Sequence, residues 1–563
     1  MEKIWLDSYP SGVPYKLDLD PDETLIDAFE TAATAWHDRP AFTNLGHTLN
    51  FSDIDELSQR FAAFTQRELG LEPGDRIAIM LPNTLQYPVA LFGALRAGLV
   101  VVNVNPLYTA PELEHQLSDS GAKAIVVYAG SASVLAEVVA HTPIEHVLVS
   151  EIADLLPTPK RLFINFVVRR IKRMVPDYDL PQARSFRAIL DVPQGGYKRP
   201  KSLRGSDLAI LQYTGGTTGL SKGAMLTHAN ILANVSQVNS WFAGHDSPGR
   251  EIIITALPLY HVYALTVNCF AYFEKGGLNV LITDPRDTAG LIKEIRRWPF
   301  TAITGVNTLF QSLVRHPDIA GVDFSTLKVV SAGGMAMQEA TAREWARVTG
   351  TQVIEGYGLS EASPVVSSNL LGIAEFTGTI GLPLPETDVS IRAEDGTEQP
   401  VGEPGELAVR GPQVMLGYWN QPEATAAVMT DDGFLLTGDM ATIDEQGYLR
   451  IVDRKKDIII VSGLKVYPNE LENTISGHPD VLEAAVIGFR DPESGEGVKL
   501  FAVRRPGAEL SETELRQWCK SNMTAYKVPR EVEFVAELPK SNVGKVLRRE
   551  LREMDAANRA ATG

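Results

Sequence analysis

Residues 213–223 read YTGGTTGLSKG, just after the apolar run LAIL at 208–211. The apolar run predicts a buried strand, and the strand empties into a loop dense in glycine and hydroxyl side chains. Glycine lets backbone N–H groups converge, and a ring of N–H and hydroxyl donors suits an anion such as phosphate. Thr214, Gly215, Gly216, Thr217, Thr218, Gly219, Ser221 and Lys222 are the candidate phosphate-binding residues, with Lys222 adding positive charge. The order Ser221-Lys222-Gly223 does not match the nucleotide P-loop, in which glycine precedes lysine. The loop therefore reads as phosphate-binding without being a P-loop.

Working outward, apolar runs alternate with helical patterns on both sides. RIAIML (76–81), LVVVNV (99–104), KAIVVY (123–128) and HVLVS (146–150) read as strands, and YPVALFGALRAG (87–98) as a helix ending on glycine. A second series follows the loop, through EIIITALP (251–258), NVLIT (279–283), TAITGV (301–306) and KVVSAGG (328–334). Strands alternating with helices predict parallel sheets in an α/β fold. From about residue 380 the chain is rich in turns and short alternating strands, which predicts a β-rich subdomain. DRKKD (453–457) then leads into an αββαβ pattern of about a hundred residues, within the usual range for a domain. The expected fold class is thus α/β, with two α/β subdomains and a β-rich subdomain in a large N-terminal domain over 1–452. A hinge is expected at 453–457, and a small mobile α+β C-terminal domain over 458–563.

Composition narrows the class. A chain of 563 residues exceeds one hydrophobic core, so more than one domain is expected. Lys and Arg number 52 against 70 Asp and Glu, a formal charge of −18, which argues against general nucleic-acid binding. Cys269 and Cys519 are the only cysteines, too few for a disulfide framework, so a reducing, cytoplasmic compartment is expected. The first residues, MEKIWLDSYPSG, carry no apolar signal core. One stretch departs from the acidic background: KRLFINFVVRRIKRMV (160–175) is basic and apolar and holds no acid. It reads either as an interfacial helix for anionic lipid or as a surface helix whose apolar stripe packs inward.

Three further stretches carry candidate chemistry. In EGYGLSEASP (355–364), after SAGGMAMQ (331–338), Tyr357 stands between glycines and can offer a ring face to a base, while Glu361 offers a hard oxygen ligand. In DGFLLTGDMATIDEQGYLRIVDRKKD (432–457), Asp439 can accept from ribose hydroxyls and Arg454 can donate. In PKSNVGKVLRREL (539–551), Lys545 opens a basic helix and could reach a nucleotide from the small domain. Each has an ordinary alternative: a flexible loop, a solvated carboxylate, a turn-forming aspartate, an exposed lysine.

Their joint occurrence in this order, over more than three hundred residues, resembles the adenylate-forming superfamily, which includes the acyl-CoA synthetases. The 432–457 stretch resembles the signature of fatty acyl-CoA synthetases, and the nearest likeness is to the bacterial long-chain fatty-acid–CoA ligases. The resemblance implies long-chain fatty acid activation with ATP and CoA as co-substrates and Mg²⁺ as cofactor. It implies Lys545, Glu361 and His261 as catalytic or acyl-site residues, and Thr217 and Glu361 as metal ligands. Gly333, Gly334, Gly356, Tyr357, Gly358, Asp439 and Arg454 would hold adenine and ribose. Lys456 would be the hinge, where short-chain relatives usually have Asp, and Gly463 and Lys465 would bind CoA once the small domain rotates. Leu265, Gly305 and Val306 would line the acyl pocket, Leu265 aligning near a gating tryptophan of one long-chain branch. Peripheral contact with the cytoplasmic face of the inner membrane is the implied location of 160–175, and a homodimer is an assembly open to it. Medium-chain or aryl acid–CoA ligases are the alternative within the superfamily. A non-catalytic nucleotide-binding relative is the alternative outside it, and a luciferase-like oxygenase is also open.

Overall fold

The computed structural model describes residues 2–190, 196–214, 221–491, 494–541 and 544–562. Two large sheets form its body. The first has seven strands, and its spatial order is Arg184–Ser185, His146–Ser150, Ala124–Tyr128, Arg76–Met80, Val100–Asn103, Leu208–Thr214 and Lys222–Thr227. All neighbours in it are parallel except the last pair, where Thr214 faces Lys222. The second has nine strands, with a parallel centre built from Ile354–Gly358, Val329–Ala332, Ala302–Gly305, Ile252–Thr255, Leu278–Leu281 and Pro40–Asn44.

The reason for parallel pairing is visible in the strands. Val100–Asn103 and Leu278–Leu281 are buried at every position, because helices cover both faces and leave no solvent side. The helix Gln86–Arg96 is buried at all its residues, and Gly93 lets it approach Phe61 closely: a Cβ there would lie 2.7 Å from that ring.

A third, antiparallel sheet comprises Asp388–Arg392, Gly405–Arg410, Leu435–Ile443 and Leu449–Arg454. It is the turn-rich region expected after residue 380. The next strand, Ile459–Val461, already belongs to a fourth sheet, which also holds Leu464–Val466, Val481–Asp491, Gly495–Arg504 and Glu531–Phe534. The changeover between sheets therefore falls across DRKKD. The αββαβ pattern is present, SGLKV adds part of a hairpin, and the basic helix expected after Lys545 runs over Arg548–Thr562 and packs against strand Val481–Asp491. Lys499 ties that helix to the sheet, 2.7 Å from both Asp555 and Glu533.

The segment 160–175 is helical over Thr158–Phe166 and continues as a π-helix over Val167–Ile171, with no residue of either fully buried. Ile164 and Val168 pack against the core, Asn165 accepts from the Ala153 N–H at 3.1 Å, and Arg169 pairs with Glu151. Leu162, Phe163, Phe166, Ile171 and Met174 face outward, each more than half exposed. The inward-packing alternative thus holds for one narrow edge only. No helix among the described residues is long and apolar enough to cross a membrane.

Candidate active site

One cavity of about 2130 Å³ lies where the two large sheets, the antiparallel sheet and the C-terminal module meet. It gathers Thr214, Lys222, His261, Val306, Gly333, Gly334, Gly356, Tyr357, Gly358, Glu361, Asp439, Arg454, Lys456 and Lys545, residues drawn from positions hundreds apart. Gly215, Gly216, Thr217, Thr218 and Gly219 lie outside the described residues.

The residues flanking the candidate phosphate loop, 213–214 and 221–223, are tied to their surroundings from three sides. Thr214 and Lys222 are paired across the strands. The helix Ala110–Ser120 supplies Asp119, which accepts from the Tyr213 hydroxyl at 2.5 Å, and His115, whose Nε2 lies 2.9 Å from the Ser221 carbonyl. The N–H of Trp419 donates to the Gly223 carbonyl at 2.8 Å. None of these anchors is apparent in the sequence, because each is a lone polar residue whose partner is set by tertiary packing.

Glu361 receives the Tyr418 hydroxyl at 2.7 Å, and burial holds its carboxyl above the usual range. Lys222 lies over the ring of that tyrosine, 4.9 Å from its centroid. Tyr418, in GYWN (417–420), is a site residue that the sequence reading missed. The hydroxyl of Tyr357 donates to Asp439 at 2.6 Å, so this tyrosine orients the carboxylate as well as offering a ring. Arg454 faces Asp439 across the strand pair, its Nε 3.7 Å from the carboxylate. Gly333 lets backbone and ring close together: a Cβ would lie 3.0 Å from Tyr263 and 3.4 Å from the Gly356 carbonyl.

Lys545 enters this cavity from the C-terminal module. Burial first, then the nearby Arg454, pushes its ammonium down to about 7, with Lys456 and Arg548 adding to the effect. Burial with Arg454 also lowers Lys456, to about 8. A buried cation among cations is destabilised until an anion joins it. His261 is held down at about 4 by burial and by Lys545, so it is neutral at physiological pH. Its Nδ1 accepts from the Tyr263 N–H at 3.4 Å, which leaves Nε2–H as a donor. His261 can hydrogen-bond an oxygen but cannot supply positive charge.

Arg548 anchors the Lys545 turn. It bonds Glu472 at 2.7 Å and lies 3.3 Å from Asp457 and 3.6 Å from the fully buried Asp453, so the helix after Lys545 is fixed to the DRKKD stretch. Gly544 has φ +80°, and a Cβ there would fall inside the contact radius of Thr308 Oγ1, on the helix Asn307–Arg315 across the cavity. The C-terminal module thus meets the large body through a glycine.

Several expected residues lie elsewhere. Leu265 is fully buried in the core, and neither it nor Gly305 lines the cavity; the space beside Gly305 is filled by Leu309 and Phe310. The apolar wall comes instead from Val238, Trp241, Ile253, Val267, Ala302 and Val329. It escaped the sequence reading because strand residues facing a channel look like any buried strand residue. Gly463 and Lys465 are exposed on the hairpin Ile459–Val466, away from the cavity, in the arrangement that has Lys545 inside.

The sequence matches the family model described as AMP-binding enzyme over residues 29–419 and that of the AMP-binding enzyme C-terminal domain over 470–545. A long-chain-fatty-acid–CoA ligase of Yersinia pestis is 53% identical over 98% of both chains. Another of Haemophilus influenzae is 50% identical over 99% of this chain and all of the relative. Among solved structures, ATP-bound MatB from Rhodopseudomonas palustris superposes with a TM-score of 0.81 at 28% identity, covering 94% of this chain and 99% of that one.

Proposed function

Because this chain belongs to the AMP-binding enzyme family, we propose that its cavity joins the carboxylate of a long-chain fatty acid to CoA at the expense of ATP. It is a long-chain fatty-acid–CoA ligase, forming acyl-CoA, AMP and diphosphate. The observation that carries the reading is one cavity with a cation-rich end at Lys545 and an apolar arm leading away from it.

In the first step a carboxylate oxygen attacks the α-phosphorus of ATP, and diphosphate leaves. Two anions must approach, and Lys545 supplies the charge that offsets their repulsion while giving up no proton. The loop from Thr214 to Lys222 binds the β- and γ-phosphates. Adenine lies against Tyr357 beside Gly333, Gly334, Gly356 and Gly358, and Asp439 and Arg454 bind the ribose. His261 Nε2–H donates to the substrate carboxylate or the adenylate carbonyl. Among the described residues no cluster of three or more ligand side chains could cage a metal, and Glu361 is a single desolvated carboxylate. That suits Mg²⁺, which keeps waters and is bound mainly through substrate phosphates. Bound there, Mg²⁺ would neutralise phosphate charge.

In the second step the CoA sulfur attacks the acyl carbonyl, its proton departs and AMP leaves with the bonding pair. The C-terminal domain, 458–563, turns about Lys456 relative to 1–452, withdrawing Lys545 and bringing Gly463 and Lys465 to the thiol. Diphosphate release with a panel of acids, with and without CoA, tests this reading. Each buried methylene adds ~0.8 kcal/mol, roughly fourfold in kcat/KM, so activity climbs with chain length until the arm is full. Best turnover of acetate or of 4-coumarate would sink it.

The outward face of 160–175 fits the cytoplasmic surface of an anionic membrane, where such acids are dissolved. Five exposed apolar side chains are interleaved with Lys160, Arg161, Arg170, Lys172 and Arg173. Arg169 is occupied by Glu151 and is left out of the test. Changing Arg170, Lys172 and Arg173 together to Gln is expected to remove ~3 kcal/mol of attraction, at ~1 kcal/mol each. Binding to anionic vesicles in low salt then falls more than a hundredfold, while turnover of a soluble acid is unchanged. Unaltered vesicle binding would return the segment to a packing role.

A further inference from the structure

The apolar arm of the cavity ends on polar groups. Its floor is one face of three parallel strands, where Ala302 is paired with both Ile253 and Val329. Thr304 and Ser331, also paired, stand one step nearer the nucleotide end. From Gly333 back to Val329 the arm follows the strand for ~13 Å. Tyr272 closes the bottom, packed with Ile253, Ala302 and Val329 in a small cluster apart from the main core. It is 8% exposed, and its hydroxyl has no hydrogen-bond partner among the described residues. Lys275 lines the same end, its Nζ 5.4 Å from the Tyr272 ring centroid and 2.8 Å from Asp246. Behind them Glu251 is paired with Lys328 at 2.7 Å.

A hydrocarbon terminus placed here strips water from an unpartnered hydroxyl and offers nothing in return. We propose that the end of the arm recognises a hydroxylated chain terminus, so that ω-hydroxy fatty acids are a substrate class of this enzyme. The proposal rests on the reading of this cavity as the acyl site. A hydroxyl fits because, like Tyr272 Oη, it both donates and accepts. A second carboxylate does not, because both lysines are already neutralised by Asp246 and Glu251.

The test is the ratio of kcat/KM for the ω-hydroxy acid to that for the unsubstituted acid, taken at each chain length from medium to long. At lengths that leave the hydroxyl in the apolar stretch the ratio lies well below one. At the length that brings it to Tyr272 the ratio recovers by about tenfold, the worth of one neutral hydrogen bond. Tyr272→Phe removes that recovery and, by removing the hydroxyl that a hydrocarbon terminus leaves unsatisfied, raises kcat/KM for the unsubstituted acid that reaches the same depth. The matching α,ω-dicarboxylic acids show no recovery at any length. The proposal is overturned if the ratio never recovers, if Tyr272→Phe shifts both series by the same factor, or if dicarboxylic acids recover equally. Failure to turn over the unsubstituted long-chain acids would defeat the ligase reading itself. Turnover of those acids without a recovery defeats only the ω-terminus proposal.

Discussion

Lys545→Ala is expected to lose acyl-adenylate formation by at least a factor of about a hundred while making thioester from pre-formed acyl-adenylate and CoA at a near-normal rate. The loss follows from where the ammonium sits. It is buried in a cavity with Arg454 and Lys456, so its field acts through little water, and such stabilisation is worth ~3 kcal/mol or more. The second half-reaction needs no second anion beside the first, so it does not need this charge. The same residue dictates a pH dependence. Its pKa in the free enzyme is lowered to about 7, so the ammonium is present below that pH and lost above it. The kcat/KM of adenylation for ATP therefore falls as pH rises through about 7, and His261, at about 4, contributes no limb in this range. Glu355, lifted to about 7 by burial, and Lys456, at about 8, titrate in the same cavity. The Lys545→Ala profile separates them, because its residual rate should be flat if Lys545 is responsible. Rapid quench of both half-reactions reads the split. Equal loss in both would defeat the assignment of Lys545 to adenylation alone. Lys456→Pro, by stiffening the hinge, should adenylate and then stall before thioester.

Gly544→Ala should give a second large and selective loss, of tens-fold or more in adenylation. At φ +80° an L side chain is strained by about 1–2 kcal/mol, and the new methyl would also meet Thr308 Oγ1. Thr308 belongs to the large body, so the clash exists only while Lys545 is inside the cavity. The Lys545-in arrangement is penalised and the thioester arrangement is not. Thr308→Ala in the Gly544→Ala background removes the steric part and should recover most of the adenylation rate, leaving only the backbone strain. If the double variant is no better than Gly544→Ala, contact with Thr308 does not govern the domain arrangement, and strain in the turn accounts for the loss.

The sequence alone was sufficient for the parallel α/β body, the β-rich region after residue 380, the C-terminal module and the site motifs. Those features are local. A Val/Ile run such as LVVVNV is a buried strand wherever it lies, and a glycine- and hydroxyl-rich stretch after a strand stands out by composition alone. Tyr357, Asp439, Arg454, Glu361 and Lys545 were legible because each stands in a distinctive stretch, and they meet in one cavity.

What pairs across distant segments was decided only by the tertiary structure. Tyr418 on Glu361, Asp119 on Tyr213, Arg548 on Asp453 and Asp457, and Thr308 against Gly544 are contacts between elements that packing brings together. No periodicity encodes them, since a single polar side chain leaves no pattern in the chain. The acyl arm shows the same limit. Ile253, Ala302 and Val329 have the composition of core strands, and only the space left between the sheet and the segment Ala264–Ala271 turns them into a channel wall. Leu265, chosen by position in a motif, went into the core because helix phase, and not motif position, decides which side chains face a void. Outward or inward placement of 160–175 was likewise open in the sequence, which shows amphipathicity but not which face finds a partner. The fold resolved it by giving Arg169 to Glu151 and Ile164 to the core, and by leaving Phe163 and Phe166 without cover.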